Sequence, residues 1–112
     1  MYIQKKDAEH FSISGGTEGV LYPTHPNGEQ TIAMVETNGT YPESGFAVND
    51  ICTETIVMIE GEFVVDYNGR SYMLVPGDVL MILPKKRYKI SGNGRACVCI
   101  TPGWDSVQNH II

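Results

Sequence analysis

At 112 residues the chain has room for one domain, whose single core would bury roughly two-thirds of the unfolded surface. Its 42% apolar and 19% charged residues exclude disorder, and a net charge of -5 argues against a nucleic-acid partner. The longest apolar run, Val79 to Leu83, is too short for a membrane helix, and the opening "MYIQKKDAEHF" has no apolar leader core, so a cytoplasmic protein is expected.

In chain order, "FSIS", "GVLY" and "QTIAMVET" read as short strands separated by "PTHPNGE". The segment "NGTYPESG" (38–45) reads as a turn-rich loop. "NDICTETIVMIEGEFVVDYNG" (49–69) reads as two strands joined by a tight turn. In "VVDYNGRSYML", Asn68-Gly69 offers the two positive-φ residues of a type I′ hairpin. "VPGD" (75–78) makes a further turn before "DVLMIL", and "SGNG" (91–94) another before the strand "RACVCIT". The tail "TPGWDSVQNHII" is expected to be a partly ordered end packed across the barrel. No segment sustains a helical period. Twelve glycines and six prolines punctuate the strands, and the fold class is all-β, a sandwich or barrel of roughly nine to eleven short strands in a single domain, 1–112.

Strand alternation places Glu54, Ile56 and Met58 on one face, with Thr55, Val57 and Ile59 on the other. Both faces are apolar after Glu54, so this strand is central or meets another subunit. An acid in that setting is a ligand, a proton carrier or a buried hydrogen-bond acceptor. Cys52 shares the Glu54 face but has no base or cation beside it in the sequence. Cys97 and Cys99 share a strand face, and reduced thiols are expected for all three cysteines. The run "LPKKRYKIS" holds Lys85, Lys86, Arg87 and Lys89, half of the eight basic residues. It reads as a basic lip that draws an anionic ligand, or as a strand kept soluble by charge. Alternation puts Lys86 with Tyr88. Trp104, the only tryptophan, is a core or interface anchor or a stacking face for a ligand.

The stretch from 40 to 102 resembles the cupin superfamily of small jelly-roll barrels. Glu54, six residues and Gly61 in "ETIVMIEGE" fit the end of the first motif, within about 45–65, and "VPGDVLMILPKKRY" fits the second, about 76–92. The run "NGTYPESGFAVN" and the ending "TPGWDSVQ" are similar to small single-domain bacterial cupins without an assigned activity. The resemblance implies a double-stranded β-helix of the RmlC-like type.

Metal-binding cupins carry a His-x-His pair shortly before the glutamate. This chain has Ala47, Val48, Asn49 and Asp50 there, and Tyr88 falls where the second motif closes on histidine. Of the four usual ligands only Glu54 is present, so no metal and no cofactor is expected. The expected site combines Asn49, Glu54, Lys86, Tyr88 and Trp104 as ligand-binding residues, with Glu54 and Tyr88 as the catalytic pair if the protein is an enzyme. The ligand is expected to be a small molecule, anionic or sugar-like, in a metal-free pocket of a homodimer. Rival readings are a metal-independent isomerase or epimerase, a metal-dependent cupin enzyme that recruits His25 beside Glu54, and a structural module with a filled barrel.

Overall fold

A computed structural model describes all residues from Met1 to Ile112. Nine strands form one sheet: β1 (Glu9–Ile13), β2 (Thr17–Leu21), β3 (Thr31–Tyr41), β4 (Ala47–Asn49), β5 (Thr53–Tyr67), β6 (Arg70–Leu74), β7 (Val79–Ile82), β8 (Tyr88–Thr101) and β9 (Asn109–Ile111). Two short 3-10 turns, Lys5–Asp7 and Ser106–Gln108, complete it. No helix is long and apolar enough to cross a membrane. The all-β barrel class is as expected.

The long strand β8 is the spine. It pairs antiparallel with β3 from Thr31↔Ile100 to Tyr41↔Ile90, and on its other side with β5 from Thr53↔Thr101 to Tyr67↔Tyr88. The outer edge of β5 takes β7 along its first half and β6 along its second. β5 is therefore a central strand, as its two apolar faces required. Its inward parity changes partway. Ile56 and Met58 are buried on the even side, then Phe63 and Val65 on the odd side, because a bulge between Met58 and Glu60 inserts one residue.

Two expected turns are not turns. "SGNG" lies inside β8, and β5 runs unbroken through "EGE". The glycines there serve a bend rather than a reversal. Gly61 (φ 72) faces Gly94 across the ladder, and Gly39 (φ 146) faces Gly92 (φ 130). A Cβ on Gly61 would stand 2.2 Å from the Asn93 carbonyl oxygen. With no side chains between them, three long strands curl together, which closes a sheet that would otherwise lie open. The loop expected at 38–45 is also shorter than its turn-rich sequence suggests, because Asn38 to Tyr41 continue β3 against β8. The tail is ordered: β9 pairs with β4, and Phe46 and Ile112 exchange backbone hydrogen bonds at 2.9 and 2.8 Å.

Candidate functional site

The curled sheet does not fill its interior. A cavity of about 580 Å³ lies inside it, walled mainly by apolar side chains of β1, β2, β3, β5 and β8, among them Phe11, Ile56, Phe63, Val98 and Ile100. Exposed Glu9, Ile13 and Ser106 mark its rim. The polar groups deeper inside are few: Glu54, Tyr88, Tyr41, Asn109 and the hydrogen-bonded pair Thr17–Thr37 at 2.9 Å. A mostly apolar cavity with a few convergent polar groups is the usual form of a small-molecule site.

Glu54 points inward from the start of β5, with Ile82 of β7 and Ile100 of β8 on either side in the ladder. It is surrounded by protein yet keeps some accessible surface, because that surface faces the cavity. Loss of water raises its pKa to about 7, against smaller opposing contributions from Asn49 and Tyr88, which favour the carboxylate. Asn49 lies on β4, 1% exposed, and its Oδ1 accepts from Asn109 Nδ2 at 2.9 Å. Its own Nδ2 is buried beside Glu54, where it favours the carboxylate without making a hydrogen bond of regular geometry. Tyr88 is 3% exposed, and its ring lies 6.4 Å from that of Tyr41. Burial first, then the charge of Glu54, raise both phenols above the usual range, so both stay protonated near neutrality.

Of the expected site residues, Glu54, Tyr88 and Trp104 line the cavity. Asn49 stands beside Glu54 but outside the cavity wall. Trp104 is held by its backbone N–H, which donates to Thr31 Oγ1 at 2.9 Å. Lys86 is exposed and away from the cavity. Its placement by alternation fails because Pro84 and Lys85 form a turn, with Lys85 at φ 66, and β8 begins only at Tyr88. The basic lip is likewise displaced: Arg87 and Lys89 stack over the Phe46 ring at 4.8 and 5.5 Å. His25 lies outside the cavity, 3.9 Å from Glu29, and cannot join Glu54 as a recruited ligand. Nowhere do three or more His, Cys, Asp or Glu side chains gather as a metal site would require. Glu54 with an amide and two neutral phenols does not fit the metal that the motif's histidine-bearing members hold.

Tyr41 and Asn109 are site residues that the sequence did not reveal. Tyr41 was hidden in an apparent loop and Asn109 in the tail. Odd parity along β3, from buried Thr31, Ala33 and Thr37, would have pointed Tyr41 inward had the strand been extended. Cys52 is fully buried, and desolvation followed by the charge of Glu54 raises its pKa to about 12, so its thiol stays protonated near neutrality. The tail is fastened beside the site by Gln108, whose Oε1 accepts from Ile51 N at 3.2 Å and Cys52 N at 2.7 Å, and by the His110–Asp50 pair at 2.7 Å.

No family model and no curated protein matches the chain in sequence. Solved structures match it in fold. Pac13, described as a unique nucleoside dehydratase, shares 14% identity at a TM-score of 0.87, over 100% of this chain and 90% of that one. A variant of Streptomyces PAC13 with uridine gives a TM-score of 0.88 at 14% identity, over 100% and 89% of the two chains. An RmlC-like cupin from Shewanella frigidimarina gives 0.74 at 17% identity, over 93% and 92%. The fold is that of a small single-domain cupin barrel, as the motifs implied.

Proposed function

We propose that the protein binds a small molecule with an apolar body inside the barrel, and that Glu54 exchanges protons with it without a metal. The observation that carries this reading is Glu54 itself: a carboxyl with a pKa of about 7, facing a cavity of about 580 Å³. A group that is half protonated near neutrality can accept a proton in one step and return it in the next. Tyr88 does not share that titration, because its pKa lies well above 10. Its hydroxyl acts as a hydrogen-bond donor to Glu54 or to a ligand oxygen. The separated titrations thus favour one shuttling acid at Glu54, with Tyr88 as a neutral donor.

Pac13's description as a nucleoside dehydratase, and the uridine bound to its Streptomyces variant, support a ring-bearing polyol of nucleoside size as the ligand class. They also support an enzyme over a filled structural barrel. In an elimination or an epimerisation, Glu54 would take a proton from carbon. The electron pair left behind would then expel a hydroxyl group or recapture a proton. A thermal-shift screen of nucleosides and neutral sugars should give stabilising hits that weaken at least about tenfold in Glu54→Gln. In heavy water the wild-type protein should place deuterium on a carbon of the hit, and Glu54→Gln should not. Hits that bind Glu54→Gln unchanged and take up no deuterium would return Glu54 to a structural role.

The outer face of the same sheet supports a homodimer. Val79, Val57, Cys97 and Met34 form one cross-strand row, and Met81, Thr55, Cys99 and Ile32 form the next. Met81 is 57% exposed and Val79 54%, which is unusual for two adjacent apolar side chains on a sheet surface. Sedimentation should show a wild-type dimer at micromolar concentration and a folded monomer for the double variant Val79→Asp, Met81→Asp. A wild-type monomer would remove the dimer. The same reading keeps the protein in the cytoplasm with its thiols reduced, and gives it no nucleic-acid partner.

A further inference from the structure

The walls of the cavity carry an uneven charge. No lysine, arginine or histidine lines it, while two carboxylates do, Glu9 at the rim and Glu54 within. The basic residues that the sequence placed near Tyr88 are turned away. Lys85 and Lys86 are exposed, and Arg87 and Lys89 are occupied at Phe46 on the outside. An anionic ligand would enter a site with no counter-charge and two like charges, so the anionic half of the sequence expectation loses its support.

Burial disfavours the Glu54 carboxylate, and the groups that favour it are neutral donors that leave its charge unpaired. Facing it are Tyr88 from β8, Tyr41 from β3, Asn49 from β4 and Cys52 from the approach to β5. Asn109 of β9 joins through Asn49. None of these carries a positive charge. Two are donors suited to an ionised acid, the Tyr88 hydroxyl and the Asn49 Nδ2, and the second is buried with no partner of its own. An ionised carboxylate accepts about four hydrogen bonds, so sites remain open toward the cavity. The rings of Tyr41, Tyr88 and Trp104 border that space, and aromatic faces attract cations.

We propose that the cavity selects a cationic amine over its neutral and anionic counterparts, seating the ammonium against Glu54 among Tyr41, Tyr88 and Trp104, with the apolar body against Ile56, Phe63 and Val98. The proposal rests on the cavity being a ligand site and adds the charge of its ligand. The ammonium supplies the one component that the polar cluster lacks. Asn49 Nδ2 then completes the second side of the ionised carboxylate. Amino-bearing nucleoside or sugar derivatives fit both this charge and the ring-bearing class proposed above.

The test uses matched probes: phenethylamine, phenylethanol and phenylacetate, with the same three head groups on cyclohexyl and indolyl bodies. Binding is read by calorimetry and by thermal shift on the full chain at millimolar probe. At about pH 8 the amine of each set should bind about tenfold more tightly than the alcohol, and the carboxylate should not bind. The amine's advantage should vanish in Glu54→Gln and shrink at about pH 5.5, where the carboxyl is protonated. Alcohols that bind as well as amines, or carboxylates that bind best, would overturn the charge assignment and leave the ligand site standing. An amine preference that survives Glu54→Gln would overturn the seat at Glu54. No binding by any of the nine probes would remove the charge proposal and the cavity's role together.

Discussion

Unfolding free energy followed from about pH 5 to about pH 8 is expected to fall by up to about 3 kcal/mol more in the wild-type chain than in Glu54→Gln. The folded protein holds the Glu54 proton with a pKa of about 7, against 4.5 for the free side chain. Because the folded value is the higher one, the contribution is fully present below 4.5 and is lost as pH rises through about 7. Above that range folding must bury a charge that water would otherwise solvate. Glutamine has nearly the same shape and no charge, so the difference between the two proteins isolates this residue from the other acids. The Tyr41, Tyr88 and Cys52 values are raised above 9 or 10 and do not titrate in the window. Chemical denaturation at several pH values measures the effect. A difference that does not change with pH would show that Glu54 is solvated in the folded state. The same substitution should abolish proton exchange with ligand, so stability and activity are expected to move in opposite directions at high pH.

Gly61→Ala should lower stability by on the order of 3–4 kcal/mol, or more than about 10 °C in melting temperature. Two costs combine there. The backbone sits at φ 72, where an L side chain is strained by about 1–2 kcal/mol. The new methyl would also lie 2.2 Å from the Asn93 carbonyl oxygen and 2.7 Å from Gly94 Cα, both backbone atoms that can retreat only by opening the β5–β8 ladder. Gly69→Ala separates the two. Gly69 has φ 89 at the hairpin tip, with nothing within 4 Å of an added Cβ, so only the conformational cost of about 1 kcal/mol applies. Equal losses at the two positions would mean that the bend tolerates side chains and that the close approach of β5 and β8 is not essential.

These glycines also show how far the sequence could be read. Asn68-Gly69 was legible as a hairpin because its two positive φ values, 48 and 89, belong to a local turn that the residue pair itself favours. Gly61, Gly92 and Gly94 carry the same local signal, yet their cause is distant: another strand passes too close for a Cβ. A single chain position cannot report that. That Glu54 shares a face with Ile56 and Met58 was legible from alternation, since the bulge falls later in β5, between Met58 and Glu60, but with both faces apolar the pattern did not say which face is inward. Lys86 was misplaced because alternation was applied before the strand began. Tyr41 and Asn109 were missed because each enters the site through long-range pairing, β3 with β8 and β9 with β4.

The position of β8 has a consequence for the timing of folding. Residues 88–101 are the common partner of 31–41 and 53–67, so neither flanking strand completes its pairing until β8 has been made. The cavity waits longer still, since Trp104 and Asn109 follow β8. Such non-local pairing places folding in the slow range for small domains, on the order of milliseconds to seconds. Until β8 is made, β3 has only β2 and β5 only β6 and β7 beside it, so the edge of each that β8 will cover stays open to pairing with another chain.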